Sequence, residues 1–495
     1  MGLQIDRDEF TADDYAQFSE RLAESIAVLR RAVERPGFGQ GPATFGAELE
    51  LYLVDQFGHP MPINLEVQQR CGDPRLTLEL NRFNLELNLT PHPLAGRPFA
   101  TLGAELEEAL AKVEKCAAGA GARIATIGIL PTLRQEDLGP NALTPVPRYR
   151  ALSNGIRRIR NGEPLHIAVA GEESLQLVWD DVTPEGANTS LQFHLRIPPD
   201  EFADAWNAAQ IATGPALALG ANSPFFLGRK LWDETRVALF RQATDDRGEL
   251  PADWRPPARV TFGRGWLRKG APELFAEAVA LHAPLIPIVS ARAPRAELAA
   301  GGVPHLDELR LHNGTVWYWN RAVYDPTAEG HLRIEFRALP AGPSVVDMLA
   351  NGAFLIGLTL GIQPNVERFL PGMPFVFARE NFHRAAKDGV DAELLWPTDL
   401  APSPRPTKVT DLLPDLLDLA ARGLKAAGVE PEDFAPLLDI IRARAATRTT
   451  GARWQRRALA NFEAHMPRGE AFARVLDRYL ALSEEGRPVH EWEAG

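Results

Sequence analysis

The sequence predicts an α+β protein whose C-terminal part is wholly helical, and three observations carry that prediction. Short stretches that alternate apolar and polar side chains recur between residues 44 and 397, interleaved with helical patterns such as 102–119 and 201–219. Beyond the proline-rich stretch 397–406 the composition turns to Leu, Ala, Arg and Glu with helical periodicity, as in VTDLLPDLLDLAARGLKAAG and WQRRALANFEAHM. The 495 residues exceed one compact core of ordinary size. A main body over residues 1–400 and a helical subdomain over 401–495 packed on it are therefore expected.

Within the main body, residues 1–40 read as a helix followed by a linker. Tyr15, Phe18, Leu22, Ile26 and Leu29 recur at three- and four-residue spacing between positions 13 and 34, which gives a helix one apolar face. The PGFGQGP run at 36–42 has the glycines of a phosphate loop but precedes a strand pattern instead of opening a helix, so it reads as a connection. No internal repeat or low-complexity tract is present.

Composition narrows the function classes. With 45% hydrophobic and 24% charged residues the chain has the make-up of a folded globular protein. Its 53 basic against 65 acidic residues, net −12, disfavour a nucleic-acid-binding surface, although a few local arginines can still hold a nucleotide. Cys71 and Cys116 are too few for a disulfide framework or a multi-cysteine zinc site, and neither has the context of a nucleophile. The acidic, polar N-terminus is unlike a signal peptide, and no window approaches a membrane-spanning length. A cytoplasmic protein without membrane or nucleic-acid partners is the expectation.

Four alternating segments carry unusual chemistry on their polar side. FGAELELYLVD sets Leu49, Leu51 and Leu53 against Glu48, Glu50 and Tyr52, and RFNLELNLTP sets Leu85, Leu87 and Leu89 against Asn84, Glu86 and Asn88. SLQFHLRIP sets Leu191, Phe193 and Leu195 against Gln192, His194 and Arg196, and HLRIEFRAL sets Leu332, Ile334 and Phe336 against Arg333, Glu335 and Arg337. A period of two places each set on one face of a sheet. Water-facing strands ordinarily mix Thr, Lys, Ser and Gln. Paired carboxylates, an imidazole and guanidinium groups resemble instead the lining of a metal and phosphate cleft, because hard Mg²⁺ takes oxygen ligands and one ATP site with about two or three such ions needs several carboxylates on rigid elements. Glu48 and Glu50 are spaced for this on one strand. Transfer of the γ-phosphoryl group of ATP requires positive groups spread over that phosphoryl. Arg236, Arg241, Arg333 and Arg337 are the candidates, since arginine matches oxygen pairs better than lysine does.

ANSPF at 221–225, followed at short distance by G, R and a second R, resembles a signature of the glutamate-cysteine ligases of the glutamine synthetase superfamily. ELELYLVD, RFNLELNLTP, TSLQFH at 189–194, LRIEFRALPAGPSVVDMLA at 332–350 and ENFHRAAKDGVDA at 380–392 resemble further motifs of that family and stand in its order between residues 44 and 397. The resemblance implies a curved antiparallel sheet funnel flanked by helices, with ATP and Mg²⁺ on its concave face. It implies Glu48, Glu50, Glu86 and Glu335 as Mg²⁺ ligands, with His194 ligating a metal or contacting the nucleotide phosphate; a histidine satisfied within the sheet is the plain alternative. Glu50, Arg337 and Arg241 are the implied catalytic residues, and Arg236, Asn222, Gln192 and Arg333 the implied substrate and ATP contacts. Small-molecule substrates, an amino-acid donor and an amine acceptor, would be the partners, with self-association one role open to the tail.

The segment 143–186 matches only loosely, and substrate-selecting residues belong in such variable loops. A guanidino phosphotransferase on the same fold and a non-catalytic binding protein are the competing readings. Clustered carboxylates argue against the second, because without a cation they are costly to keep together. Trp317 and Trp319 read as packed sheet aromatics with Asn320 and Arg321 in support, while DDRGEL near Asp245 and RARAATR near Arg442 read as solvated surface.

Overall fold

The computed structural model describes residues 5–248, 256–397 and 404–494. Its organising element is β1 (Thr44–Val54). The two-residue period sends Phe45, Ala47, Leu49, Leu51 and Leu53, all buried, to one side and Gly46, Glu48, Glu50 and Tyr52 to the other. With β2 (Leu76–Leu78), β3 (Asn84–Asn88), β4 (Leu191–Ile197), β5 (Asn320–Asp325) and β6 (His331–Phe336) it builds an eight-stranded sheet in the order β5-β6-β4-β1-β3-β2. Two short strands, His92–Pro93 and Arg123–Ala125, complete it by pairing with opposite ends of β1. Every pairing is antiparallel. The sheet curls into a half-barrel, the α+β funnel architecture expected from the sequence.

The helices that bear on the sheet and its support are α1 (Ala12–Ala32), α2 (Pro98–Ala118), α3 (Pro147–Ile159), α4 (Phe202–Gly220), α5 (Arg236–Ala243), α6 (Val345–Ile362) and α7 (Phe375–Asp388). Four more follow: α8 (Val409–Ala426), α9 (Pro431–Thr447), α10 (Gly451–Glu463) and α11 (Arg468–Glu484). Thr11 and Asp14 form a reciprocal capping box that starts α1. α4 and α6 are mostly apolar and buried almost throughout, as helices enclosed by other elements must be, with polar exceptions such as Asp347 of α6.

Close approach explains how α6 is seated. A Cβ on Gly352 would lie 2.3 Å from the Phe193 ring, so glycine there lets α6 rest directly on the apolar side of β4. On the opposite flank, a Cβ on Gly423 of α8 would lie 2.4 Å from the Gly357 carbonyl. The C-terminal helices therefore pack backbone to backbone on the central helix.

Three expectations change here. The 28-residue run Val345–Gly372 is long and apolar enough to cross a membrane, contrary to the sequence reading, but 78% of its most apolar window is buried inside the protein. Arg444, within the run assigned to solvated surface, is 1% exposed in its side chain and pairs with the fully buried Asp347 at 2.7 Å. Asp246 is likewise buried and accepts from the buried Arg259 at 2.8 Å. The periodicity of α9 could have flagged Arg444, because its neighbours Leu437, Leu438 and Ile441 lie on the same inward side. As expected, Trp317 and Trp319 pack as core aromatics, both edge-on to Phe240.

Asp347 also accepts the Val489 amide and the Ser344 hydroxyl, so removing Arg444 leaves a buried carboxylate short of its cation. Arg444→Ala should lower unfolding free energy by about 3–5 kcal/mol, whereas Arg442→Ala on the exposed side of the same helix should stay within about 0.5 kcal/mol. Denaturant melts of the two variants check this; equal stability would remove the strut from the account.

Candidate active site

Strand register assembles the polar face row by row. Arg321 lies opposite Glu335, Glu335 opposite His194, and His194 opposite Gly46. Glu48 lies between Gln192 and Asn88, and Glu50 opposite Glu86, which in turn faces Thr77. Side chains far apart in sequence thus converge because antiparallel partners share a face.

A continuous chain of polar contacts crosses these rows. Arg321 donates twice to the buried Glu335, at 2.6 and 2.9 Å, and Arg337 donates to the same carboxylate. Arg337 also donates to Gln192 Oε1, and Gln192 Nε2 donates to Glu50 at 2.9 Å. The Ser190 amide and hydroxyl fix the other Glu50 oxygen at 2.7 and 3.0 Å. Side-chain amides and guanidinium forks therefore set each carboxylate's angle.

Beside that chain stand two groups of potential ligand atoms, Glu48 with His194 and Glu335, and Glu50 with Glu79 and Glu86. The atoms in each group lie within 4.8 Å of one another. Nε2 of His194 is 3.2 Å from Glu48, yet neither buried ring nitrogen has an aligned hydrogen-bond partner among the described residues. The two side chains approach without an aligned hydrogen bond, so no other described residue commits the His194 ring nitrogens. Five carboxylates and one imidazole form a donor set suited to hard divalent cations, so the residues fit Mg²⁺.

The family model for glutamate-cysteine ligase family 2 matches residues 44–470. The chain belongs to that family. Its class is accordingly that of an ATP-dependent carboxylate-amine ligase. No curated protein sequence matches the chain. Among solved structures, the glutamate-cysteine ligase from Francisella tularensis in complex with AMP is similar in fold at TM-score 0.51 and 11% identity, over 92% of this chain and 91% of that one. A bifunctional glutathione synthetase from Pasteurella multocida aligns at TM-score 0.46 and 13% identity, over 95% of this chain and 55% of that one. The ligase PafA, in its complex with the ubiquitin-like protein Pup, aligns at TM-score 0.37 and 9% identity, over 86% of this chain and 70% of that one.

Not every residue expected at the ligase's site reaches the polar face as a free group. Arg236 is buried, and its Nη atoms are spent on Glu234 and on the carbonyls of Ala338 and Arg337. It braces the chain just after β6 and adds positive potential at Glu50. Asn222 is fully buried; its amide donates to the Ala341 carbonyl and the Tyr479 hydroxyl, and its oxygen accepts from Gln455. No atom of it is left for substrate, so the structure corrects this contact to a tie between the ANSPF loop and helices α10 and α11. Arg241 is exposed near the end of α5, where Arg247, Asp245 and Arg379 are the charges that act on it, and it does not join the carboxylates. Helical geometry is the reason: Arg236 and Arg241 are five residues apart and point in different directions. Arg333 lies on the same face as Glu335, opposite Arg196, and pairs with Asp325 at 2.7 Å.

Two acidic residues were missed. Glu79 carried a readable signal, since Leu76, Leu78 and Leu80 alternate with Thr77, Glu79 and Asn81 just as in the four segments singled out. Glu185 carried none, because it stands in a short 3-10 turn, Glu185–Ala187, inside the loosely matching segment.

Electrostatics divide the carboxylates. Burial pushes Glu86 up to about 7, with Glu48 and Glu50 adding to the effect, and Glu185 up to about 8, with Glu50 adding. Glu79 is driven well above the ordinary range by burial and by Glu86, Glu50 and Glu185. Burial works the same way on Glu48, but His194 outweighs it and holds the pKa at about 2; Arg321 and Arg337 likewise outweigh burial at Glu335 and hold it low. Glu79, Glu86 and Glu185 thus retain protons in the folded metal-free protein that unfolded carboxyls, near pKa ~4.3, have already lost. Burial lowers the pKa of His282, His312, His331 and His383, which offsets this trend at lower pH; above about 6.5, where unfolded histidines have also lost their protons, stability of the metal-free ligase should fall as pH rises through about 8. Thermal midpoints in chelator across that range should decline, and Glu86→Gln should flatten the slope; a midpoint independent of pH would contradict the cluster's electrostatics.

Proposed function

We propose that this chain is an ATP- and Mg²⁺-dependent ligase that activates the side-chain carboxylate of glutamate as an acyl phosphate and joins it to the α-amine of an amino acid such as cysteine. The observation that carries the reading is the pair of ligand groups set side by side on one sheet face and linked by the Arg321–Glu335–Arg337–Gln192–Glu50 chain. Family membership supports the carboxylate and amine classes, and the AMP described in the Francisella enzyme supports a nucleotide.

In this reading Glu48, His194 and Glu335 hold one Mg²⁺, and Glu50, Glu79 and Glu86 a second. Ions held there would supply positive charge to the triphosphate oxygens. Glu335 and Gln192 hold Arg337 with its guanidinium along the face, aimed where the transferring phosphoryl carries negative charge. Arg236 acts through Glu50 and the Arg337 backbone and is a positioning residue. Arg333, with Arg196 beside it, supplies positive charge toward one end of the face for a substrate carboxylate. The donor carboxylate oxygen attacks the γ-phosphorus and ADP leaves; the amine nitrogen then attacks the acyl carbon, phosphate departs, and the amine gives up a proton.

Phosphate release from Mg²⁺-ATP with glutamate, scanned across amino acids with product masses recorded, tests the reading. Release that needs both substrates and yields an amide mass is expected, with Glu50→Gln and Glu335→Gln each reducing turnover by about 10²–10³-fold. A phosphorylated acceptor without free phosphate would make the chain a phosphotransferase, and unchanged turnover in both variants would overturn the metal assignment.

A further inference from the structure

A cavity of about 330 Å³ lies apart from the sheet face, between α10 and the turn that follows α7. Arg448, Arg453, Arg456 and Arg457 line it, against Asp391 as the one lining carboxylate among the described residues. Arg448 ends α9, and the other three occupy the first two turns of α10. Such a concentration of guanidinium groups is what recognition of phosphate oxygens requires, because each planar fork can bind two of them.

The acids nearby do not neutralise all four cations. Arg453 and Arg456 share Asp233, at 2.6 and 3.1 Å, and Arg456 reaches the exposed Glu172 at 3.0 Å. Arg453 also donates to the Asp388 carbonyl at 2.9 Å and Arg456 to the Leu231 carbonyl, so Arg456 has no nitrogen to spare unless Asp233 is displaced, and the uncommitted ones lie chiefly on Arg448 and Arg457. Arg448 and Arg453 share Asp391. Arg457 donates to the Thr449 hydroxyl at 2.7 Å, and among the described residues no carboxylate pairs with it. Burial and the charge of Arg453 hold the Arg457 guanidinium below its ordinary pKa, as expected of cations crowded together. The volume is at the lower end of small-molecule sites and exceeds what a bare phosphate fills.

The geometry points to this arginine-lined cavity as a second ligand site, one that takes a phosphorylated small molecule and reports its occupancy to the catalytic face. The path is short. Asp233, which Arg453 and Arg456 hold, precedes Glu234, whose carboxylate pairs with Arg236 at 3.0 Å and accepts the Asn222 amide at 2.9 Å. Arg236 in turn binds the carbonyls of Arg337 and Ala338. A phosphate that competes with Asp233 for its two arginines therefore loosens the segment bracing Arg337. The binding half of this inference stands on the cavity alone; the reporting half rests on the ligase reading.

Inorganic pyrophosphate titrated by calorimetry into the metal-free protein in chelator tests the site. The sheet face carries Arg196, Arg333 and Arg337 beside its carboxylates, so the arginine cavity is read as the saturable binding that the cavity variants weaken. One site per chain is expected, weakened at least tenfold in Arg457→Ala and in Arg448→Ala, with both variants keeping the wild-type thermal midpoint. No saturable heat, or equal binding by folded wild type and both variants, overturns the site. For the reporting half, amide formation read by product mass should respond to added inorganic phosphate at least twofold more in wild type than in Arg457→Ala, the product inhibition common to both being the baseline. Binding without that difference overturns the coupling and leaves the site standing; a protein that turns over no substrate pair defeats the ligase reading instead, and the calorimetry still decides the site.

Discussion

Keeping carboxylates beside carboxylates in a desolvated sheet face is the constraint on which the rest of this structure depends. Glu48, Glu50, Glu79, Glu86 and Glu335 all stand on or against one curled face, and each pays for losing water in the ionised form. Arg321 and Arg337 answer Glu335, and Gln192 and Ser190 answer Glu50. At Glu79 and Glu86 the charge of Arg148 does not outweigh burial and the neighbouring carboxylates, so both are raised. A divalent cation bound there would resolve that conflict.

Rigidity behind the face makes this arrangement sustainable. The leucines of β1 and β3 and Phe193 of β4 are buried on the opposite side, where α6 closes against Phe193 through Gly352. The C-terminal helices extend the same support: α8 crosses α6 at Gly423, Arg444 of α9 pairs with Asp347 at the start of α6, and Gln455 and Tyr479 hold Asn222. The ANSPF loop is thereby tied to residues more than two hundred positions further along the chain. Its motif residues serve the site by holding other groups in position, and Arg236 does so most directly through the backbone of Arg337.

What could be read from the sequence follows from periodicity. Each strand that lines the site alternates so regularly that Glu48, Glu50, Glu86, Gln192, His194 and Glu335 could be assigned to polar sides before any pairing was known. The same rule would have reached Glu79. It could not reach Glu185, which sits in a turn, nor separate the arginines. Arg236, Arg241, Arg333 and Arg337 look alike in sequence, yet one is a buried brace, one is exposed away from the carboxylates, one pairs with Asp325 and one sits amid the carboxylates. A long side chain reaches far enough that its partner is chosen by whichever acid the fold brings near. Arg444 and Asp246 were misread for the same reason, since charge in a short run says nothing of burial when the paired acid or base is distant in the chain.

The sequence by itself determined the strands, their two faces, the polar groups each face carries and the helical character of the C-terminal part, because alternation and helical spacing are local and need no partner. Only the tertiary structure decided which strands are neighbours, and hence that Glu335 meets His194 and Arg321 while Glu50 meets Glu86. It alone decided which charges are desolvated and which arginines are already spent. Pairing, burial and electrostatic potential are sums over groups far apart along the chain, and they acquire values only when the sheet closes and excludes water from its two sides unequally.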